Sequence, residues 1–227
     1  MPTRLGRRAA LNRGAAGFVL CLTGTAFAQT PSPAPARSLR LLMLGDSITA
    51  AYGLSRGEGL PARLEAALRA KGRQVTVIDA GVSGDTTAGG RARLDWALAE
   101  RPDAVIVALG GNDGLRAIPP RNTRANLEAI LDRLKSRNLP VLLAGMLAPP
   151  NLGPDYGREF AAVFSDLAGA RPEVVAYPFL LDGVAGDPAL NQPDRIHPNA
   201  RGVEVLVARM LPSVETLLDR ASAARPA

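Results

Sequence analysis

The sequence has 227 residues, of which 47% are hydrophobic and 21% are charged, and it carries a formal net charge of +6. This length and apolar content suit one globular domain with a sizeable core and exclude an intrinsically disordered chain. A single cysteine and a single histidine exclude a disulfide framework and a zinc site of the usual composition. The basic residues are spread without a dense run, so no nucleic-acid partner is expected.

Residues 1–28 have the pattern of an export signal. Four arginines lie within the first 13 residues, and a mostly apolar, uncharged stretch follows over residues 15–25. The stretch ends in Ala26-Phe27-Ala28, a small-x-small pattern typical of signal-peptidase sites. Because the apolar stretch is shorter than the ~20 residues that cross a bilayer, we predict cleavage after Ala28 rather than a membrane anchor. The predicted location is periplasmic or secreted, with the Sec and twin-arginine routes both open.

Cleavage would change the composition of the mature protein. The removed segment holds four basic residues and no acidic one, so the remaining 199 residues carry a net charge of +2. The single cysteine, Cys21, would leave with it. Residues 29–38 are proline-rich and predict a flexible spacer, and residues 39–227 predict a single domain.

Strand and helix patterns then alternate along the chain. Compact apolar runs predict five buried strands, at residues 41–44, 75–78, 104–109, 141–143 and 174–176. Amphipathic spacing predicts helices at residues 60–68, 88–100, 127–134, 156–169 and 203–211. Apolar strands separated by amphipathic helices are typical of an α/β fold, a parallel sheet with helices on both faces. Trp96 shares a helical face with Ala92 and Ala99, which predicts that it packs in the core.

Polar and glycine-rich segments follow the strands, where open α/β sheets bind their ligands. They are Gly45-Asp46-Ser47, Gly81-Val82-Ser83-Gly84-Asp85, Gly110-Gly111-Asn112-Asp113 and, near the C-terminus, Asp194-Arg195-Ile196-His197. A serine nucleophile needs a base, and His197 is the single imidazole available. Asp194 lies three residues before His197 and can hold its tautomer. The N–H groups of Ser47 and Gly84 and the amide of Asn112 are candidate oxyanion donors.

These four segments, in this order, resemble the GDSL/SGNH hydrolase family. The resemblance runs from about Leu41 to Leu218, with Ile48 where the name-giving motif has leucine. Residues 83–87, 111–116 and 155–158 resemble the subgroup of periplasmic esterases described as thioesterase I, protease I and lysophospholipase L1. The resemblance implies a three-layer α/β/α sandwich with a five-stranded parallel sheet and neither a metal nor a cofactor.

The same resemblance implies the role of each site residue. Ser47 would be the nucleophile, His197 the general base and acid, and Asp194 the residue that orients His197. Gly84 and Asn112, with Ser47, would form the oxyanion hole. The implied activity is that of a serine esterase, which acts on small acyl or aryl esters and thioesters, lysophospholipids among them. We expect the protein to be a monomer without stable membrane insertion after signal cleavage.

Five residues in the loops after the third and fourth strands would flank the acyl group: Leu115, Ile118, Leu147, Pro149 and Tyr156. Ordinary packing of these side chains on the core is an equal alternative. Ser83 is a weaker nucleophile candidate, because position 85 is Asp and breaks the G-x-S-x-G pattern. A carbohydrate O-acetyl esterase and a non-catalytic lipid-binding protein on the same fold are the alternative functions.

Overall fold

A computed structural model describes residues 37–224, and within them five strands form one parallel sheet. The strands are β1 (Leu39–Gly45), β2 (Val75–Gly81), β3 (Ala104–Ala108), β4 (Val141–Ala144) and β5 (Val174–Tyr177). Their order across the sheet is β2-β1-β3-β4-β5, and every neighbouring pair is parallel. All five predicted strands are present, and each predicted run overlaps an observed one.

Helices cover the sheet. They are α1 (Leu60–Ala70), α2 (Thr87–Ala92), α3 (Leu94–Leu98), α4 (Gly111–Leu115), α5 (Pro120–Ser136), α6 (Pro154–Gly169) and α7 (Ala200–Ala223). Helix α1 packs with α7, whereas α5 packs with α2 and α6. The predicted three-layer α/β/α sandwich is therefore confirmed. Single 3-10 turns span Arg56–Glu58 and Pro150–Leu152, and α7 continues through Pro212.

The segment predicted as one helix over residues 88–100 is two short helices. The chain leaves helical geometry at Arg93, which separates α2 from α3. This break changes the face that α3 turns inward, so Leu94, Ala97 and Leu98 are buried. Trp96 points the other way and is 75% exposed, and the prediction that it packs in the core was wrong.

Strand register brings the candidate site residues to one edge of the sheet. Gly45, the last residue of β1, pairs with Gly81 of β2 on one side and Ala108 of β3 on the other. The three strands therefore end level, and the loops that follow them start side by side. Every residue of β3 is buried, so the strand beneath this edge packs within the apolar core.

The first two segments of the domain prediction are the signal peptide and the spacer. The predicted signal peptide and all but the last two residues of the predicted spacer lie outside the described residues. Among residues 37–224, no helix combines the length and apolar character needed to span a membrane.

Candidate active site

Ser47, His197 and Asp194 lie in one hydrogen-bonded row. Ser47 lies two residues after the end of β1, and its Oγ lies 2.8 Å from Nε2 of His197. On the other side of the ring, Nδ1 lies 2.7 Å from Oδ2 of Asp194. A carboxylate accepts only, so it holds the proton on Nδ1 and leaves Nε2 free to accept from the serine hydroxyl.

The loop before α7 sets the position of Asp194. Its Oδ1 accepts backbone N–H groups from Ile196 at 2.9 Å and from His197 at 3.1 Å. Partial burial disfavours the charged carboxylate, but the hydrogen bonds from Ile196 and His197 outweigh it and lower the pKa of Asp194 to about 2. The carboxylate is therefore ionised at neutral pH and keeps the imidazole in the tautomer that faces Ser47.

Two residues that sequence reasoning missed support the imidazole. The ring of Tyr52 lies against that of His197, with centroids 4.5 Å apart and planes tilted by 37°. The side chain of Gln192 donates to the backbone oxygens of Tyr52 and Pro198, at 2.7 and 3.0 Å. These contacts tie the histidine loop to the segment that follows Ser47. No short motif carries a signal for them, because the partners are about 140 residues apart.

Asp46 connects the serine to Asn112. Its side chain is buried, and Oδ1 accepts the N–H of Ile48 at 3.1 Å while Oδ2 accepts from Nδ2 of Asn112 at 3.4 Å. Burial raises the pKa of Asp46 to about 6. The hydrogen bonds and the nearby His197 lower this pKa, but their effect is smaller than that of burial. Asn112 lies in the first turn of α4, which begins after Gly110 at a φ of +117°. A Cβ there would come within 2.8 Å of the Phe164 ring, so the turn requires glycine.

Gly84 lies on the loop after β2, in left-handed backbone geometry with a φ of +82°. Its carbonyl accepts from Arg116 at 2.8 Å, and Arg116 thus stabilises the loop. The next residue, Asp85, accepts from Nε of Arg93 at 2.6 Å, and Nη2 of Arg93 donates to the carbonyl of Gly45 at 2.9 Å. Arg93 thereby joins the Gly84 loop to the backbone just before Ser47, a role absent from the sequence analysis.

Two other polar residues of the predicted segments have different surroundings. Asp113 is buried and accepts from the backbone N–H and the hydroxyl of Thr87 and from the hydroxyl of Thr123, at 2.5 to 3.1 Å. It braces α4 against α2 and α5. Ser83 is exposed, and Nε2 of the single histidine faces Ser47 instead.

A cavity of about 410 Å³ borders Ser47, Asn112 and His197. Its other walls are mostly apolar and include Ile48, Leu115, Met146, Leu147, Ala148, Pro149, Pro150, Phe179, Leu181 and Ala185. Two larger cavities, of about 480 and 750 Å³, border none of the three site residues. Among the described residues, no group of three or more His, Cys, Asp or Glu side chains is arranged to hold a metal ion.

Three of the five residues expected to flank the acyl group line this cavity, namely Leu115, Leu147 and Pro149. The other two, Ile118 and Tyr156, do not. The Tyr156 hydroxyl donates to the carbonyl of Ile118 at 2.7 Å, and its ring stacks on Phe160 of the core. This pair therefore fastens the loop after α4 to α6. Phe179 and Leu181 take part in the wall instead, from a loop whose sequence has no distinctive pattern.

The sequence pattern of the GDSL-like Lipase/Acylhydrolase family matches residues 43–205. The chain belongs to this family. It is a GDSL-type hydrolase of ester bonds, and the family resemblance seen in the motifs is confirmed. The match spans β1 to the first turns of α7 and includes Ser47, Asn112, Asp194 and His197.

Relatives of this GDSL hydrolase include esterases and a thioesterase. It is 40% identical over 212 residues to Esterase TesA of Pseudomonas aeruginosa, a match covering 93% of this chain and 100% of the relative. It is 36% identical over 183 residues to Thioesterase 1/protease 1/lysophospholipase L1 of Escherichia coli, covering 80% and 86%. It is also 38% identical over 168 residues to Arylesterase of Vibrio mimicus, covering 74% and 84%.

Solved structures agree with this assignment. The crystal structure of TesA superposes with a TM-score of 0.74 at 40% identity, covering 78% of this chain and 99% of that one. AlinE4, an SGNH-hydrolase family esterase, superposes with a TM-score of 0.68 at 46% identity, covering 82% and 99%.

Proposed function

We propose that this GDSL hydrolase is a serine esterase that forms an acyl-enzyme on Ser47. The observation that carries the proposal is the hydrogen-bonded row from Ser47 through His197 to Asp194. Nε2 of His197 removes the hydroxyl proton as Oγ bonds to the ester carbonyl carbon. Asp194, ionised at neutral pH, stabilises the imidazolium that results.

The tetrahedral intermediate then breaks down in two stages. His197 returns its proton to the leaving oxygen or sulfur as the bond to the acyl carbon breaks, and the alcohol or thiol departs. A water molecule, deprotonated by the same imidazole, attacks the acyl-enzyme and releases the carboxylic acid and free Ser47. The N–H groups of Ser47 and Gly84 and the side-chain amide of Asn112 are the proposed oxyanion donors. The contact between Asn112 and Asp46 supports this role, because it limits the rotation of the amide.

The proposed substrates are acyl and aryl esters and thioesters, lysophospholipids among them. The apolar walls of the cavity, including Leu115, Leu147 and Pro149, suit a hydrocarbon chain or an aromatic ring rather than a sugar. The names of the relatives, which cover esterase, arylesterase, thioesterase and lysophospholipase activities, support the same range. We further propose that the protein acts as a monomer, in the periplasm or outside the cell, after loss of residues 1–28.

Replacement of the nucleophile is the direct test. We expect Ser47→Ala to lower kcat for p-nitrophenyl octanoate by about a thousandfold or more, because the acyl-enzyme can no longer form. A fluorophosphonate probe should label the wild-type chain at Ser47, located by peptide mass spectrometry, and should leave the variant unlabelled. Near-normal turnover by a folded Ser47→Ala protein would overturn the proposal.

Two comparisons make this test specific. Ser83→Ala removes the neighbouring exposed serine, and we expect it to keep most of the activity and the labelling. A series of acetyl, octanoyl and palmitoyl esters separates the proposed function from a carbohydrate O-acetyl esterase. Higher kcat/KM for octanoyl than for acetyl esters supports the acyl esterase, and the reverse order contradicts it.

A further inference from the structure

Arg195 lies between Asp194 and His197 and lines the cavity that contains Ser47. It is exposed, and its backbone is left-handed, with a φ of +60°. This geometry costs an ordinary side chain about 1 kcal/mol or more relative to glycine. Among the described residues that line the cavity, Asp46 is buried, whereas Arg195 is exposed and carries a permanent charge.

The guanidinium of Arg195 has no hydrogen-bond or ion-pair partner among the described residues. Within residues 37–224, it takes part in none of the salt bridges and its side chain donates none of the hydrogen bonds. The adjacent Asp194 carboxylate is instead occupied by the imidazole and by two backbone N–H groups. Arg195 therefore brings a permanent positive charge, with five donors that have no acceptor among the described residues, to a position that lines the cavity.

The mechanism decides which part of a substrate would meet this charge. His197 has to protonate the leaving oxygen, so the alcohol portion of the ester must lie beside the imidazole and its loop. The acyl portion extends away from that loop, along the apolar walls formed by residues such as Leu115 and Leu147. An anion that reaches Arg195 therefore belongs to the alcohol portion of the ester.

We propose that Arg195 binds a phosphate group carried by the alcohol portion of the substrate. The matching chemical class is the acyl esters of glycerol phosphate, the ester unit of lysophospholipids, in which only a few bonds separate the phosphate from the ester oxygen. Guanidinium and phosphate form charge-assisted hydrogen bonds in a two-pronged geometry that lysine cannot reproduce. This inference rests on the proposed esterase function and adds to it a residue that selects the alcohol portion.

A matched pair of substrates isolates the phosphate. 1-Octanoylglycerol and 1-octanoylglycerol 3-phosphate have the same acyl chain and the same ester bond and differ only in the charged group. We expect wild type to prefer the phosphorylated ester, and we expect Arg195→Gln to lower the ratio of the two kcat/KM values by about five- to tenfold. Arg195→Lys should retain part of the preference, because it keeps the charge but not the fork.

Salt and a control arginine test whether the effect is local. Raising NaCl from about 20 mM to about 500 mM should weaken the wild-type preference and change that of Arg195→Gln little, because screening acts on an exposed charge pair. Arg121→Gln removes an exposed arginine from α5 that does not line the cavity, and it should keep the wild-type ratio. An unchanged ratio in Arg195→Gln, or an equal fall for both esters, would overturn the proposal.

Inhibition by the leaving group separates this proposal from the proposed function. Glycerol 3-phosphate should inhibit p-nitrophenyl octanoate hydrolysis competitively, with an inhibition constant about five- to tenfold higher in Arg195→Gln. Equal inhibition of both proteins, or none of either, contradicts the role of Arg195 while leaving esterase activity intact. Wild-type turnover by Ser47→Ala contradicts the proposed function instead.

Discussion

Asp46 is the residue next to Ser47 whose ionisation the fold perturbs most clearly. It is buried, accepts hydrogen bonds from Ile48 and Asn112, and forms none of the salt bridges among residues 37–224. Burial raises its pKa from 3.8 to about 6, although these hydrogen bonds and the nearby His197 lower it. The ionised form of Asp46 therefore lowers the stability of the fold, but its carboxylate positions the side chain of Asn112.

This cost should appear in the pH dependence of stability. A raised pKa means that Asp46 stabilises the fold fully below pH 3.8, and that this stabilisation is lost as pH rises through about 6. The wild-type free energy of unfolding, minus that of Asp46→Asn, should therefore fall by about 2 kcal/mol between pH 4 and pH 7. Urea unfolding followed by circular dichroism at several pH values measures this difference.

A control carboxylate removes general effects of pH from this comparison. Asp155 is exposed, and the corresponding difference for Asp155→Asn should stay within about 0.5 kcal/mol over the same range. A difference for Asp46→Asn that does not change with pH would contradict the assigned ionisation.

At the scale of secondary-structure elements, the break between α2 and α3 has a structural use. It places Arg93 where its guanidinium reaches both Asp85 and the carbonyl of Gly45. Both members of this ion pair are largely buried, with side chains 17% and 14% exposed. One side chain thus couples the end of β1, just before Ser47, to the loop that carries Gly84.

Loss of this connection should affect stability and catalysis together. We expect Arg93→Gln to lower the free energy of unfolding by about 2–4 kcal/mol, because it leaves a buried carboxylate unpaired. We expect kcat for p-nitrophenyl octanoate to fall about tenfold, since two catalytic segments lose their common support. Urea unfolding and steady-state kinetics measure the two effects.

Arg133 provides a matched control for this prediction. It pairs with Asp95 on the surface, with side chains 44% and 64% exposed. Arg133→Gln should leave the free energy of unfolding and kcat nearly unchanged, because solvent screens this exposed pair. If Arg93→Gln behaved in the same way, the connecting role of Arg93 would be wrong.

For the whole molecule, the sheet gathers residues that the chain keeps far apart. Ser47 and His197 are separated by 150 positions, yet their side chains meet at 2.8 Å. Parallel strands that end level bring the loops after β1, β2 and β3 to one edge, and β5, which runs parallel to them, leads at the same edge into the loop that carries His197.

Processing of the N-terminus is a prediction about the whole chain. The exported protein should begin at Gln29, as measured by intact mass and N-terminal sequencing, and thiol titration of the denatured protein should find no cysteine. Ala28→Arg should block cleavage, because signal peptidase requires a small residue there, whereas Phe27→Ser should not. An exported chain that retains Cys21 would contradict the prediction.

Much of the fold follows from local sequence patterns. The five strands and most of the longer helices could be predicted because their apolar residues recur with the period of the element they form. Boundaries and short elements could not. Helix α4 has five residues and contains two glycines, so it has no amphipathic pattern. The exposure of Trp96 depends on the break at Arg93, which only the contacts of that arginine with Asp85 and Gly45 explain.

The sequence by itself determined the α/β class, the family and the candidates Ser47, Asp194 and His197, because spacing along the chain carries that information. Only the tertiary structure decided which side chains border the cavity. It joined Tyr156 to Ile118 away from the cavity and brought Tyr52 and Gln192 to the histidine loop. The physical reason is that such contacts depend on packing between segments distant in sequence, which no local pattern encodes.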